Sequence, residues 1–417
     1  MLKGFEKSTQ FDYLYDALAQ KFPGLVAQNS KTSVFQFSQV PIAANWVTGN
    51  DPIAYDIANV VPLNLDGFYV KGDQLDTSYS SLIRSLKPRL GDDNPDYKKL
   101  KIISDDLTNQ FLTIADGANK AYYIWVVDNT NPNGTEATKS EWLNDPLGGK
   151  SWGDKINNIQ NQIDEVNSEM ANILKSMDAA LSETLANLGT DTMSISRGGT
   201  AIKVPSVTID GNLSGDKLRW DSYTKGQYDF DVTINSDSVI ESPWKTIYST
   251  QVVQTCWKTS IETKVDTFRI ITDNHYNLKV QAVGIQGYQI TRGRWYNPAF
   301  VTPDAQIVQG ATSLTNDSFF GLNGCLHLIP ETIFVMYKPT ITLTVSTQTY
   351  KQQFVANANL DIDWIELIGF RFNFNGLASL QPVENGDNTV TLTFRSPDNA
   401  VPQILGVTSK VEFNGNK

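Results

Sequence analysis

Residues 151–189 read SWGDKINNIQNQIDEVNSEMANILKSMDAALSETLANLG. Ile156, Ile159, Ile163, Val166, Met170, Ile173 and Met177 recur there at alternating steps of three and four, which is the a/d seam of a heptad repeat. A second stripe, Ile163, Met170, Leu174, Met177, Leu181, Leu185 and Leu188, widens the apolar face toward the C-terminal end. Ser151 with Asp154 resembles a capping-box start, and Gly189 a stop. The spacing predicts one continuous amphipathic helix of about 55 Å, at 1.5 Å per residue, packed in a coiled coil or bundle. Its cover comes either from a helix near 96–115 or from another subunit.

The chain on either side differs in character. Residues 1–148 mix signals. Helices are expected over Phe11–Phe22, near Ser80–Leu86 and over Asp96–Ala115, where Leu100, Ile103, Leu107, Phe111 and Ile114 share a stripe. Short extended runs fall at Ser33–Phe37, Gly67–Val70 and Ala121–Val127, the last a buried strand by its aromatic and β-branched content. Asp128–Thr138 carries every signal of a loop. From Thr190 to Lys417 the text turns to alternating, Ser/Thr/Val-rich strands punctuated by Gly, Asn, Asp and Pro. Trp244–Thr272, Ile333–Tyr350, Gln352–Asn359 and Trp364–Phe374 are among them, and Asn385-Gly386-Asp387-Asn388 signals a hairpin turn. The expected fold is α+β: a helix-containing head (1–148), a long central helix (149–189) and an antiparallel β-sandwich or jelly-roll domain (190–417).

Composition excludes several classes of function. Forty-five acidic against 34 basic residues give a net charge of −11, which argues against a nucleic-acid partner. Two His and two Cys in 417 residues leave little for metal hydrolysis, thiol redox chemistry or a disulfide framework. Cys256 and Cys325 both lie in apolar, strand-like surroundings, where inert buried thiols are expected. No apolar run is long enough for a signal peptide or a transmembrane helix. The expectation is therefore cytoplasmic synthesis, with release by a non-classical route.

Candidate chemistry is sparse. Gly148-Gly149-Lys150-Ser151 resembles the end of a phosphate loop, but Asn144 stands where the motif needs glycine. Asn129, Asn131, Asn133 and Gly134 resemble half of a calcium loop whose closing glutamate falls one residue late, at Glu141. Asp361 and Asp363 share one face of a strand opposite Leu360, Ile362 and Trp364, an ordinary half-buried pattern that could also hold a cation. His275 and His327 lie in no ligand-spaced pair. No catalytic residue, metal or cofactor is expected.

What remains are surfaces for contact. Arg292, Arg294 and Tyr296 form a cationic–aromatic cluster around Trp295, with Trp295 expected in the core and Arg294 and Tyr296 on the contact side. In Trp244–Thr272 one face holds Val253, Trp257, Ile261 and Val265, the other Lys258, Glu262, Lys264 and Asp266; Thr340–Asn359 alternates likewise. Such strands suit a sandwich edge or a membrane-inserting hairpin. The expected function is a non-enzymatic, self-assembling structural or interaction protein, a homo-oligomer built through the helix seam and β-rich surface. The alternatives are a pore-forming, membrane-acting protein and a carbohydrate- or receptor-binding module.

Overall fold

Apolar and polar residues alternate over much of Asn277–Arg292 and Leu328–Ser346, and these runs become the two longest strands, β11 and β12. The computed structural model describes residues 17–22, 33–38, 43–44, 46, 52–62, 68–69, 71–88, 94–128, 142–143, 145–197, 200–235, 251–254, 260–263, 277–307, 314–321, 324–351, 364–367, 370–373, 382–396 and 398–412. At about 3.3 Å per residue, β12 is roughly 60 Å long. The two strands pair antiparallel from Asn277↔Thr344 to Gln289↔Thr332. On the far side of β11, β8 (Phe230–Asn235) covers one end and β7 (Val207–Ile209) the other. On the far side of β12, β16 (Thr389–Arg395) and β17 (Gln403–Val411) divide the edge in the same way. β1 (Ser33–Ser38), β3 (Phe68–Tyr69) and β15 (Val383–Glu384) complete a nine-stranded sheet, antiparallel except for β1 with β3. The other strands form two-stranded pairs: β2 (Val60–Pro62) with β4 (Lys71–Gln74), β5 (Thr192–Arg197) with β6 (Thr200–Pro205), β9 (Gln251–Gln254) with β10 (Ser260–Thr263) and β13 (Trp364–Leu367) with β14 (Phe370–Asn373).

The class is thus α+β with a large antiparallel C-terminal sheet, to which residues 33–38 and 68–69 of the head also contribute strands. Among the described residues, helices rather than a second sheet of similar size pack against it. One core joins Ile57 of α1 (Pro52–Ala58) and Tyr79 and Leu82 of α2 (Leu75–Ser85) to Tyr288, Ile333, Val335, Tyr337 and Val407 of the sheet.

The continuous helix over 151–188 is corrected: the chain forms two helices, α4 (Lys150–Leu174) and α5 (Ala179–Thr190). Asp178 causes the break. Its carboxylate accepts the Leu181 N–H at 3.1 Å and caps α5, while Ser182 Oγ donates to the Ala171 carbonyl across the bend. Leu181, Leu185 and Leu188 thereby join the main core. Gly189 lies inside α5 and does not stop it. Nor does Ser151 cap α4: Gly149 holds that position without a side-chain bond, and Lys150 pairs with Asp154 at 2.8 Å.

The cover for the seam comes from the same chain. Ala121–Val127, expected as a strand, belongs to the 34-residue helix α3 (Pro95–Asp128). Its β propensity yields to packing: Ala118 is fully buried, Gly117 lies under the Trp152 ring, and Tyr122 meets Trp142 at 5.8 Å. Ile159 and Ile163 of α4 close on Leu107 of α3, flanked by Phe111, Ile114 and Val166. Met170 and, half-buried, Ile173 pack on the main core; Ile156 and Met177 are half-buried. Ile163→Asp removes one of these large apolar side chains and buries a charge, so a loss of at least about 3 kcal/mol is expected. Chemical denaturation measures it, and unchanged stability would mean that the α3–α4 pair is not packed this way.

Among the described residues the strand region also holds the short helices α6 (Leu213–Asp221), α7 (Asn316–Phe320) and α8 (Thr347–Tyr350). Two long strand expectations become hairpins. Trp244–Thr272 contains β9 (Gln251–Gln254) paired with β10 (Ser260–Thr263). Trp364–Phe374 contains β13 (Trp364–Leu367) and β14 (Phe370–Asn373), joined through Ile368-Gly369. The run expected to continue to Tyr350 leaves the sheet at Ser346, whose Oγ accepts the Thr349 N–H and starts α8. The Asn385–Asn388 turn joins β15 to β16, with Asn388 at φ 62°. Helix residues before 17, the Asp128–Thr138 loop beyond Asp128, the extended run at 352–359, Cys256, His275, Asp361 and Asp363 lie outside the described residues.

Candidate functional site at one end of the sheet

β8, β11, β12 and β16 form a four-stranded antiparallel section, and its register defines one end of the sheet: Asn235↔Asn277, Asn277↔Thr344 and Ser346↔Thr389. Residues 236–276 leave β8 and return to β11 there. Residues 351–382 leave after β12 and α8 and rejoin through β15, beside the start of β16. The first insertion thus links two antiparallel neighbours at this end, while the second leaves β12 at the same end and returns through β15, which flanks β16 on its other edge; each carries a hairpin. In β13–β14 the register sets Ile365 opposite Phe372 and Leu367 opposite Phe370, alternating with Trp364 opposite Asn373 and Glu366 opposite Arg371. In β9–β10, Val253 opposite Ile261 lies between polar or mixed pairs.

The faces of the four-stranded section are sharply divided. Leu278 and Val280 of β11, Ile341, Leu343 and Val345 of β12, and Val390 and Leu392 of β16 are buried. On the opposite face Thr340, Thr342, Thr344 and Ser346 stand beside Thr389, Thr391 and Thr393, half-exposed, and Thr344 and Thr391 share a 2.9 Å hydrogen bond. Lys279 pairs with Asp231 at 3.2 Å on the same face, and Gln281 donates to that carboxylate at 2.8 Å. At the outer turn, Asn385 Nδ2 donates to Thr389 and Thr391. The Thr389 hydroxyl donates to Asp387 and holds its carboxyl below the usual range.

The cationic–aromatic cluster lies near the opposite end. Arg292 is turned inward: its Nη2 donates to the Ala58 and Pro330 carbonyls at 3.1 and 2.8 Å, and the guanidinium stacks 5.1 Å from Tyr296. Burial pushes its pKa down. Trp295 is fully buried, with Nε1 donating to the Ser206 carbonyl at 2.7 Å. Tyr296 is half-buried against Tyr79, and Arg294 alone of the three arginine and tyrosine candidates is exposed. Arg294 and Trp295 form a turn, since β11 ends at Arg292, and the backbone N–H of Arg294 donates to Asp191. The burial of Arg292 was not legible from an alternating pattern that places it beside a turn.

His327 is buried between β12 and the C-terminal strand, its Nδ1 against the Gly324 carbonyl. Burial lowers its pKa to about 4, a shift the Gly324 contact opposes. An unfolded chain protonates this residue near pH 6.5, so stability is intact above that pH and falls progressively toward pH 4. The loss reaches roughly 3 kcal/mol at 1.36 kcal/mol per unit, and His327→Gln should flatten it. Denaturation at pH 7.5 and pH 4.5 tests this; identical slopes in both proteins would contradict it. Among the described residues no group of three His, Cys, Asp or Glu is placed to hold a metal ion. No helix among them is long and apolar enough to cross a membrane.

Comparison with known proteins finds no matching family model, no matching curated protein and no matching solved structure.

Proposed function

We propose that this is a non-enzymatic, self-assembling protein that acts on membranes by presenting the two insertions from one end of its sheet. The supporting observation is their shared point of exit. Two hairpin-bearing segments leave the sheet at the same end, one after β8 and one after β12, so both can engage one surface together. Each is long enough for two strands of the about 9–11 residues that cross a bilayer. Two hairpins supply only four strands, whereas the smallest closed barrels need about eight. Crossing a membrane in this way therefore requires several copies, which unites self-assembly with membrane action. The a/d seam, closed by α3 within the chain, is not the assembly surface in this reading; the sheet section that carries the insertions is.

Solution mass and particle images, recorded with and without phosphatidylcholine–phosphatidylserine vesicles, test the proposal. It expects large closed assemblies on vesicles. Particles of unchanged mass that never bind vesicles would refute it; assemblies identical in both conditions would favour a purely structural role.

A further inference from the structure

β11 and β12 keep one unbroken register from Asn277↔Thr344 to Gln289↔Thr332, yet their surroundings change along a single line across the sheet. On the body side, Leu328–Tyr337 of β12 is buried on both faces apart from Glu331. Beyond it, Lys338–Ser346 alternates, one face buried and the other half-exposed. On β11 the same change falls between Val283 and Gly284. The outer partners change there too. β17 pairs with β12 as far as Met336, and β16 begins at Thr340. β8 ends against Ala282, and β7 joins β11 only at Ile290. Among the described strands, β11 and β12 alone cross the line, so this pair joins the four-stranded section to the rest of the sheet.

The backbone is strained at the same level. Lys338 has φ 44°, in the left-handed region that L side chains rarely adopt, and it lies inside a strand rather than in a turn. The ring of Pro339 biases residue 338 toward extended backbone, which opposes this conformation further. Helix α6 holds it in place from outside the sheet. On the body side, Asp216 accepts the Tyr288 hydroxyl at 2.7 Å. At the line, Asp221 accepts the Tyr337 hydroxyl at 2.6 Å and the Lys338 ammonium at 3.2 Å, and the Trp220 ring lies over Gly284. Trp220 also donates to Asp229, whose own N–H donates to the Ala282 carbonyl at 3.0 Å where β8 begins. One helix thus ties the body, the line and the section beyond it.

We infer that the line through Gly284 and Lys338 is a hinge, that α6 is the brace that holds it, and that backbone strain at Lys338 drives the four-stranded section to swing against the body when the brace lets go. A residue held in a sparsely populated conformation persists only where its surroundings over-determine it, and such residues gather at switch regions. Here the surroundings are the contacts of α6. Without them Lys338 returns to the extended backbone that its proline neighbour favours, and the strand straightens. The hinge goes beyond the membrane-acting reading and does not depend on it; in that reading it sets the angle at which both insertions meet a surface.

Pulsed dipolar spectroscopy on the full chain, with Cys256→Ser, Cys325→Ala and spin labels at Gln289→Cys and Thr342→Cys, tests the hinge without lipid. Gln289 is exposed on the body side and Thr342 half-exposed beyond the line, opposite Lys279. At about 3.3 Å per residue the labels lie roughly 30 Å apart. Lys338→Ala keeps the strained backbone and removes the ammonium from Asp221; Lys338→Gly removes the strain as well. A partly exposed ion pair counts for little beside left-handed strain. A second distance population is therefore expected to be largest in Lys338→Ala and about fivefold or more smaller in Lys338→Gly, with the parent between them. Asp221→Asn, which weakens the brace, should enlarge it as Lys338→Ala does. A single unchanged distance in all four proteins overturns the hinge. Equal second populations in Lys338→Ala and Lys338→Gly overturn strain as its drive, and this pair decides the matter if Asp221→Asn fails to fold.

Discussion

Replacing Gly284 by alanine is expected to cost about 3 kcal/mol, the upper range for overpacking a filled core. Gly284 sits midway along β11, opposite Tyr337, and a Cβ there would lie 2.1 Å from Cδ2 and 2.3 Å from Cε2 of Trp220. That indole cannot move aside. It is 1% exposed, stacks on Tyr337 at 5.7 Å, and its Nε1 donates to Asp229 at 2.9 Å. The end of α6 is anchored as well. Burial alone would raise the Asp221 pKa, but hydrogen bonds from Lys217, Tyr337 and Lys338 hold it down at about 2. Trp220→Ala should itself cost about 3–5 kcal/mol. The double variant should lose clearly less than the sum, because removing the ring frees the space a Cβ needs. Denaturant unfolding of the four proteins measures the cycle. Additive losses would mean that α6 does not sit on the strand at Gly284.

Trp295→Ala should cost about 3–5 kcal/mol, because it empties a fully buried site and leaves the Ser206 carbonyl without its indole donor. The ring also meets Tyr79 edge-on at 5.6 Å, and Tyr79 itself holds the backbone of Asn297 through its hydroxyl. Arg294→Ala, on the exposed neighbour whose backbone and not its side chain is bound to Asp191, should stay within about 0.5 kcal/mol. Thermal melting of both variants decides the matter. If Arg294→Ala unfolds the protein and Trp295→Ala does not, the loop is oriented the other way.

The class of fold was legible because two periods are written plainly: a 3–4 stripe over residues 156–177, and period-2 runs through the C-terminal half. What was not legible has identifiable causes. The stripe continues in phase through residues 175–178, so only Asp178, an N-cap type inside a helical pattern, marks the break; its competition with Met177 cannot be weighed without the core that receives Leu181 and Leu185. Ala121–Val127 has strand composition, but Gly117 just before it lies against Trp152 of α4 and Tyr122 within it against Trp142, and packing decides. The candidate site was visible only in pieces. Ile368-Gly369 between two apolar alternating runs was a two-residue hairpin signal inside what reads as one strand. That two insertions share one end of the sheet depends on β8, β11, β12 and β16 being neighbours, a long-range pairing that no local pattern carries.

The central claim is that the insertions act on a bilayer, and release of fluorescent dextrans from phosphatidylcholine–phosphatidylserine vesicles tests it most directly. The intact chain should release them, and a chain with residues 352–381 replaced by a short Gly/Ser linker, folded by the criterion of an unchanged melting temperature, should lose at least about nine-tenths of that activity, a free-energy difference of about 1.4 kcal/mol or more in its lytic step. Equal release by the two chains, or none by the intact one, would contradict the account.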